Sequence, residues 1–144
     1  MRNHITIKGQ DGAFAAYIAR PAAVPAPAVI VLHELFGVNA DIRETCNELA
    51  QLGLIAVAPD LFWRQEPGVD LGVRSEPDWQ HGLGLYQAYD RDAGVNDIKE
   101  VLVQIKRFSR EVYIQRNTER NRPIKSKHYD SALRTGTRLR ERIT

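Results

Sequence analysis

Residues 28–32, Ala-Val-Ile-Val-Leu, form an unbroken apolar run between a proline-rich segment and a polar loop. Because the run does not alternate, a strand here has no face left for water and must be covered on both sides. That constrains the fold more than anything else in the chain, since a doubly covered strand calls for helices on both faces of a sheet. One helix follows directly. After the loop 33–39, Asn39 or Asp41 can cap it, Glu44 supports its first turn, and Ile42, Thr45/Cys46, Leu49 and Leu52 share one face. Gly53 stands where a left-handed C-terminal cap belongs, and residues 54–58 make a second buried strand halted by Pro59-Asp60. Strand, loop, helix and strand within about 30 residues is a βαβ unit, which builds a parallel sheet with a right-handed crossover.

The flanking segments extend this plan. Residues 4–8 alternate and residues 14–19 are apolar, with the turn-forming Gln10-Asp11-Gly12 between them, which reads as a hairpin. Pro21, Pro25 and Pro27 then hold an extended connector. Residues 64–90 are polar and interrupted by Gly and Pro, so they are expected to wander over the carboxyl edge of the sheet, with a short helix near 83–89. Val95, Ile98, Val101/Leu102, Ile105 and Phe108 fall at helical spacing and predict an amphipathic helix over 93–108. Val112-Tyr113-Ile114, within 111–115, is a last strand-like stretch. From Arg116 onward no period holds, and there is no internal repeat. The expected organisation is an α/β domain over 1–115 and a basic, irregular tail over 116–144.

Charge follows the same division only roughly. Residues 1–103 carry 8 basic and 14 acidic side chains, a net of −6, whereas residues 104–144 carry 12 and 4, a net of +8. So abrupt a switch predicts either a basic interaction tail or a joined segment of different origin, such as a frame change beyond residue 103. Twelve cations would attract phosphate backbones, but Phe108, Tyr113 and Tyr129 are thin provision for base stacking, so nucleic acid is not the expected partner. The single cysteine, Cys46, excludes an intramolecular disulfide framework and a multi-cysteine zinc site. No apolar run approaches the roughly 18 residues of a membrane span, and no apolar stretch follows Met1-Arg2-Asn3-His4 as in a secretory signal. A cytoplasmic setting is expected.

The loop after the first buried strand reads His33-Glu34-Leu35-Phe36-Gly37. It is not a zinc-protease helix, because position 37 is glycine and the segment leaves a strand. Ligands of open parallel sheets bind outside the carboxyl ends of strands, so Glu34 is a candidate perturbed carboxylate and the Leu35 N–H a candidate oxyanion donor. The competing reading is a solvated glutamate beside a core Leu-Phe pair.

Val29-Ile30-Val31-Leu32-His33-Glu34-Leu35-Phe36-Gly37-Val38-Asn39, then Ile42-Arg43-Glu44, then Ala56-Val57-Ala58-Pro59-Asp60-Leu61-Phe62 resembles the N-terminal half of dienelactone hydrolases. Arg64 to Gly68 and Tyr86 to Val95 fit the same pattern, and the resemblance covers roughly residues 3–103. It implies a partial α/β-hydrolase fold, a mostly parallel sheet with flanking helices. The activity it implies is hydrolysis of a small lactone or ester, typically carboxymethylenebutenolide to maleylacetate, by a Cys-His-Asp triad without metal or organic cofactor. Glu34 matches the glutamate that takes the thiol proton when substrate binds, and Leu35 matches a donor of the oxyanion hole. Arg74 is the one arginine in the loop where the family holds the substrate carboxylate, although Trp79 lies nearer the expected position.

The departure from the family is at the nucleophile. A G-x-C-x-G elbow should follow the last strand, yet residues 114–119 read Ile-Gln-Arg-Asn-Thr-Glu. Cys46 sits on an apolar helix face as a small hydrophobe. Ser109, Ser126 and Ser131 lack the serine-elbow context, His128 lies in a charged run, and Gly82-Leu83-Gly84 has no strand before it to make a nucleotide loop. No nucleophile, Asp or His of a triad is found, so the chain is expected to be inactive alone. Two alternatives remain. One is a non-enzymatic fragment whose basic tail binds an acidic partner or nucleic acid. The other is a fragment that self-associates through an unpaired sheet edge after its last strand.

Overall fold

The computed structural model describes residues 3–116. Its elements run β1 His4–Gly9, β2 Gly12–Ala19, β3 Ala28–Leu32, α1 Ala40–Gln51, β4 Ile55–Pro59, α2 Glu76–Gln87, α3 Arg91–Ile105 and β5 Val112–Arg116. The apolar run 28–32 is β3, and it lies between β4 and β5 in a sheet of order β1-β2-β4-β3-β5. It pairs with both neighbours in parallel, while the β1–β2 hairpin joins as an antiparallel flank through β2 and β4.

Successive residues of β3 explain why no polar residue is tolerated there. Ala28 and Ile30 join a cluster with Val57 of β4 and with Val101, Leu102 and Ile105 of α3. Val29 and Val31 join the opposite cluster with Ala56, Ala58, Ile42, Cys46 and Leu49. The helices α1 and α3 thus cover opposite faces of one sheet, and each fully buried aliphatic side chain contributes about 1.5–3 kcal/mol over an exposed one.

Helix ends follow their caps. Asn39 starts α1, its side-chain oxygen accepting from Ile42 N at 3.1 Å, and Gly53 adopts φ +95° just beyond the helix. The α3 helix begins at Arg91 rather than 93 because Asp90 caps it, accepting from Ala93 N at 3.1 Å. It stops at Ile105 rather than 108. Phe108 is left 45% exposed while the Ser109 hydroxyl reaches the carbonyl of Ala26 at 2.7 Å, turning the chain back toward β5.

The larger correction is α2, which spans Glu76–Gln87 instead of 83–89. Ser75 caps it through a 3.3 Å bond from Asp78 N, and Pro77 occupies the first turn, where its missing N–H costs nothing. Gly82 and Gly84 look like breakers, but a Cβ at Gly82 would run into the carbonyl oxygen of Leu35, so glycine there is the condition for close packing.

Nor is the charge switch at residue 104 a fold boundary. Residues 104–105 complete α3, and β5 aligns Val112 with Ala28 and Arg116 with Leu32. Among the described residues β5 is a terminal strand of the sheet, and no helix is long and apolar enough to cross a membrane.

Candidate functional site

Two loops leave the carboxyl ends of the central parallel strands, residues 33–39 after β3 and residues 60–75 after β4. The first carries Glu34 and Leu35. Gly37, at φ +71°, closes a tight turn in which its N–H meets the Glu34 carbonyl at 3.4 Å. Its close bridge to Asp70 leaves no space for a side chain, because a Cβ would meet the Val69 carbonyl. The second loop folds over the first. Leu71 N donates to Phe36 O at 2.9 Å, Asn39 Nδ2 donates to Leu71 O at 3.2 Å, and the rings of Phe36 and Trp79 meet edge to face at 5.0 Å. Arg43 spans both loops, donating to the Val38 carbonyl at 2.8 Å and to Asp70 at 2.9 Å.

Beneath this surface two ionisable side chains are committed to backbone. His33 Nε2 receives the Leu61 N–H at 3.0 Å, and Nδ1 lies 2.7 Å from the Glu34 carbonyl. Burial pushes its pKa below the ordinary value, partly opposed by the Glu34 carbonyl and the charge of Asp60. Buried Asp60 accepts from Phe62 N at 3.2 Å and Gly68 N at 2.8 Å. Burial raises its pKa, against the pull of those N–H donors and of His33. Farther along, Arg64 grips Asp97 of α3 with two bonds of 2.6 and 2.9 Å and reaches Asp11 at 2.9 Å. Trp63 Nε1 adds a bond of 3.0 Å to Asp97 and the guanidinium lies 4.6 Å from the centre of its ring. The Asp97 hydrogen bonds are the main cause holding the Arg64 pKa above its ordinary value.

Glu34 and Leu35 therefore sit together on a braced loop at the carboxyl end of β3. Arg74 does not join them. It is exposed and lines a separate groove with Asn39, Asp41, Asp70 and Ser75, a lining that includes neither Glu34 nor Leu35. Cys46 is fully buried among Val29, Val31 and Leu49, and burial pushes its thiol up to about 12. A thiolate is suppressed there, so an alkylating reagent should leave Cys46 unlabelled in the folded chain and label it only in denaturant, as mass spectrometry would read. Labelling at the same rate in both states would contradict its burial. Ser109 is spent on the Ala26 and Glu111 carbonyls, and Gly82-Leu83-Gly84 is the middle of α2. Ser126, His128 and Ser131, with the tail's proposed acidic or nucleic-acid partners, lie outside the described residues.

Sequence reasoning missed His33, Asp60 and Asp97. The first two stand directly after buried strands, a position that could have flagged them. Asp97 is an acid on the apolar face of α3 and invites the question of its partner. No group of three or more His, Cys, Asp or Glu side chains that could hold a metal ion occurs among the described residues.

Comparison with known proteins gives concordant results. The sequence model of the dienelactone hydrolase family matches residues 14–121, and so takes in β5. A carboxymethylenebutenolidase of Pseudomonas putida is 41% identical over 99 residues, covering 68% of this chain and 42% of that protein. Carboxymethylenebutenolidase 1 of Cupriavidus pinatubonensis is 39% identical over 87 residues, covering 60% of this chain and 37% of the relative. Among solved structures, a "putative dienelactone hydrolase" of Klebsiella pneumoniae superposes with a TM-score of 0.65 at 28% identity, covering 78% of this chain and 48% of that one. The chain spans less than half the length of these curated relatives.

Proposed function

The chain belongs to the dienelactone hydrolase family, with a partial α/β-hydrolase fold, and we propose that it supplies the Glu34–Leu35 part of a lactone- or ester-hydrolysing site. One observation carries this reading. In the parallel pair of β3 and β5, Arg116 stands opposite Leu32, so the chain leaving β5 emerges beside the strand end from which His33 and Glu34 depart. A nucleophile following β5 would start from the same end of the sheet as Glu34.

In that arrangement the Glu34 carboxylate accepts the proton of an incoming thiol, and the resulting thiolate attacks the lactone carbonyl. The Leu35 N–H donates to the oxygen as it becomes an oxyanion. The ring C–O bond then breaks, the expelled enolate taking a proton from solvent, and water cleaves the resulting acyl-enzyme to the free acid and the regenerated thiol. The substrate class is a small lactone such as carboxymethylenebutenolide, with maleylacetate as product. No substrate contact is assigned to Arg74, because its groove is separate.

This chain carries Arg-Asn-Thr at 116–118 where the turn should hold the nucleophile, and its one cysteine is buried on α1. Alone it therefore lacks the attacking group and is inactive. Mixing the purified chain with the unmatched C-terminal portion of the Pseudomonas putida enzyme tests the reading. Lactone hydrolysis is expected to appear only in the mixture and to fall at least about 100-fold with Glu34→Ala, the range typical of a lost acid–base group. Activity in the mixture that ignores Glu34→Ala would contradict the assignment.

A further inference from the structure

We infer that His33 is the positioning residue of the Glu34–Leu35 loop, holding it to the end of β4 as a neutral imidazole that carries its proton on Nδ1. Its catalytic consequence rests on the function proposed above, but its geometry does not. The Leu61 backbone nitrogen has only a proton to offer, so Nε2, 3.0 Å away, must present a lone pair. The single proton of the neutral ring then lies on Nδ1 and is donated to the Glu34 carbonyl 2.7 Å away. One ring thus bridges the first residue after β3 and the loop after β4, and the Phe62 ring packs edge-on against it at 4.8 Å.

Protonation cannot be accommodated without moving something. A second ring N–H would point at the Leu61 N–H, leaving two donors opposed and neither satisfied. Among the described residues, the charged group acting on the ring is Asp60, from the loop after β4, and Glu34 meets it through its backbone carbonyl. Asp60 favours the imidazolium, but both of its oxygens already accept backbone N–H bonds, and burial opposes the charge more strongly.

The sign follows from linkage. A histidine whose folded pKa lies below the ordinary 6.5 binds fewer protons folded than unfolded. Its contribution is intact above that value and is lost as pH falls from there toward the folded pKa. Asp60, whose pKa is raised, works in the opposite sense, which is why the test reads His33 and Leu61 directly. The prediction is a local release of the loop 33–37 from the β4 end, with the sheet core still in place.

Nuclear magnetic resonance on the 15N-labelled full chain tests this. The His33 ring nitrogens should show the Nδ1–H neutral tautomer near neutral pH. Below that, Leu61 amide exchange, corrected for its intrinsic pH dependence, should rise about tenfold in step with His33 titration, the size of one lost hydrogen bond. Val101 in α3 should stay protected. His33→Gln offers an oxygen near the Nε2 position and should keep Leu61 protected without the pH dependence. His33→Asn, whose amide lies near Nδ1, should expose Leu61 at every pH. A proton on Nε2, Leu61 exchange indifferent to His33 titration, or joint loss of Leu61 and Val101 protection would each overturn the inference. None of these readings involves turnover, so an inactive site leaves this test unaffected, and a failed clasp does not decide the Glu34 assignment.

Discussion

Asp97→Ala is expected to destabilise the chain by about 3–5 kcal/mol, the loss typical when one member of a buried ion pair is removed. The carboxylate is 4% exposed and accepts three bonds, two from Arg64 and one from Trp63 Nε1. Truncation leaves the Arg64 guanidinium, itself only 29% exposed, with the outlying Asp11 as its remaining acid partner. The Asp11 pair is more open to solvent and recovers at most about 1 kcal/mol. Against a total stability of about 5–15 kcal/mol, such a loss brings a small domain close to unfolding. Urea denaturation followed by circular dichroism checks it, avoiding a fluorescence probe inside the network. A double substitution with Arg64→Leu should recover part of the loss, because no guanidinium is then stranded. A loss below about 1 kcal/mol for Asp97→Ala would mean that the pair is not what anchors the loop after β4 to α3.

The second large effect is at Gly37, where alanine should cost about 2–4 kcal/mol, combining left-handed backbone strain with displacement of a packed neighbour. Gly37 holds φ +71°, and an added Cβ would press on the Val69 carbonyl, which is backbone and cannot swing away. Gly68 separates the two terms. Its φ is +76°, yet nothing lies within 4 Å of the position its Cβ would take. Gly68→Ala should therefore show the conformational part alone, about 1–2 kcal/mol. Equal losses at the two positions would remove the packing argument for the 37–70 bridge.

Much of this architecture is written in local patterns. The doubly buried run at 28–32, the cap at Asn39 and the glycine at 53 specify a βαβ unit because period and caps act over a few residues. The α2 helix was hidden because Gly82 is set by a neighbour distant in sequence, the Leu35 carbonyl. The ends of α3 were hidden by a cap three residues upstream of the expected start and a serine bond back to Ala26. The site shows the same contrast. Glu34 and Leu35 could be read from where a buried strand ends, whereas the bonds of His33 to Leu61 and of Asp97 to Arg64 close only when loops separated by many residues meet. Arg74 was chosen by position in the chain, and among the described residues it lines a groove with Asn39, Asp41 and Asp70.

In the proposed function this chain contributes the proton-accepting and oxyanion-binding loop of a lactone hydrolase but not its nucleophile. Turnover of a dienelactone by the purified chain, measured beside Glu34→Ala, tests it most directly. Hydrolysis no faster than buffer, and identical for the two proteins, is expected. Multiple turnovers by the unmodified chain, abolished in Glu34→Ala, would contradict it.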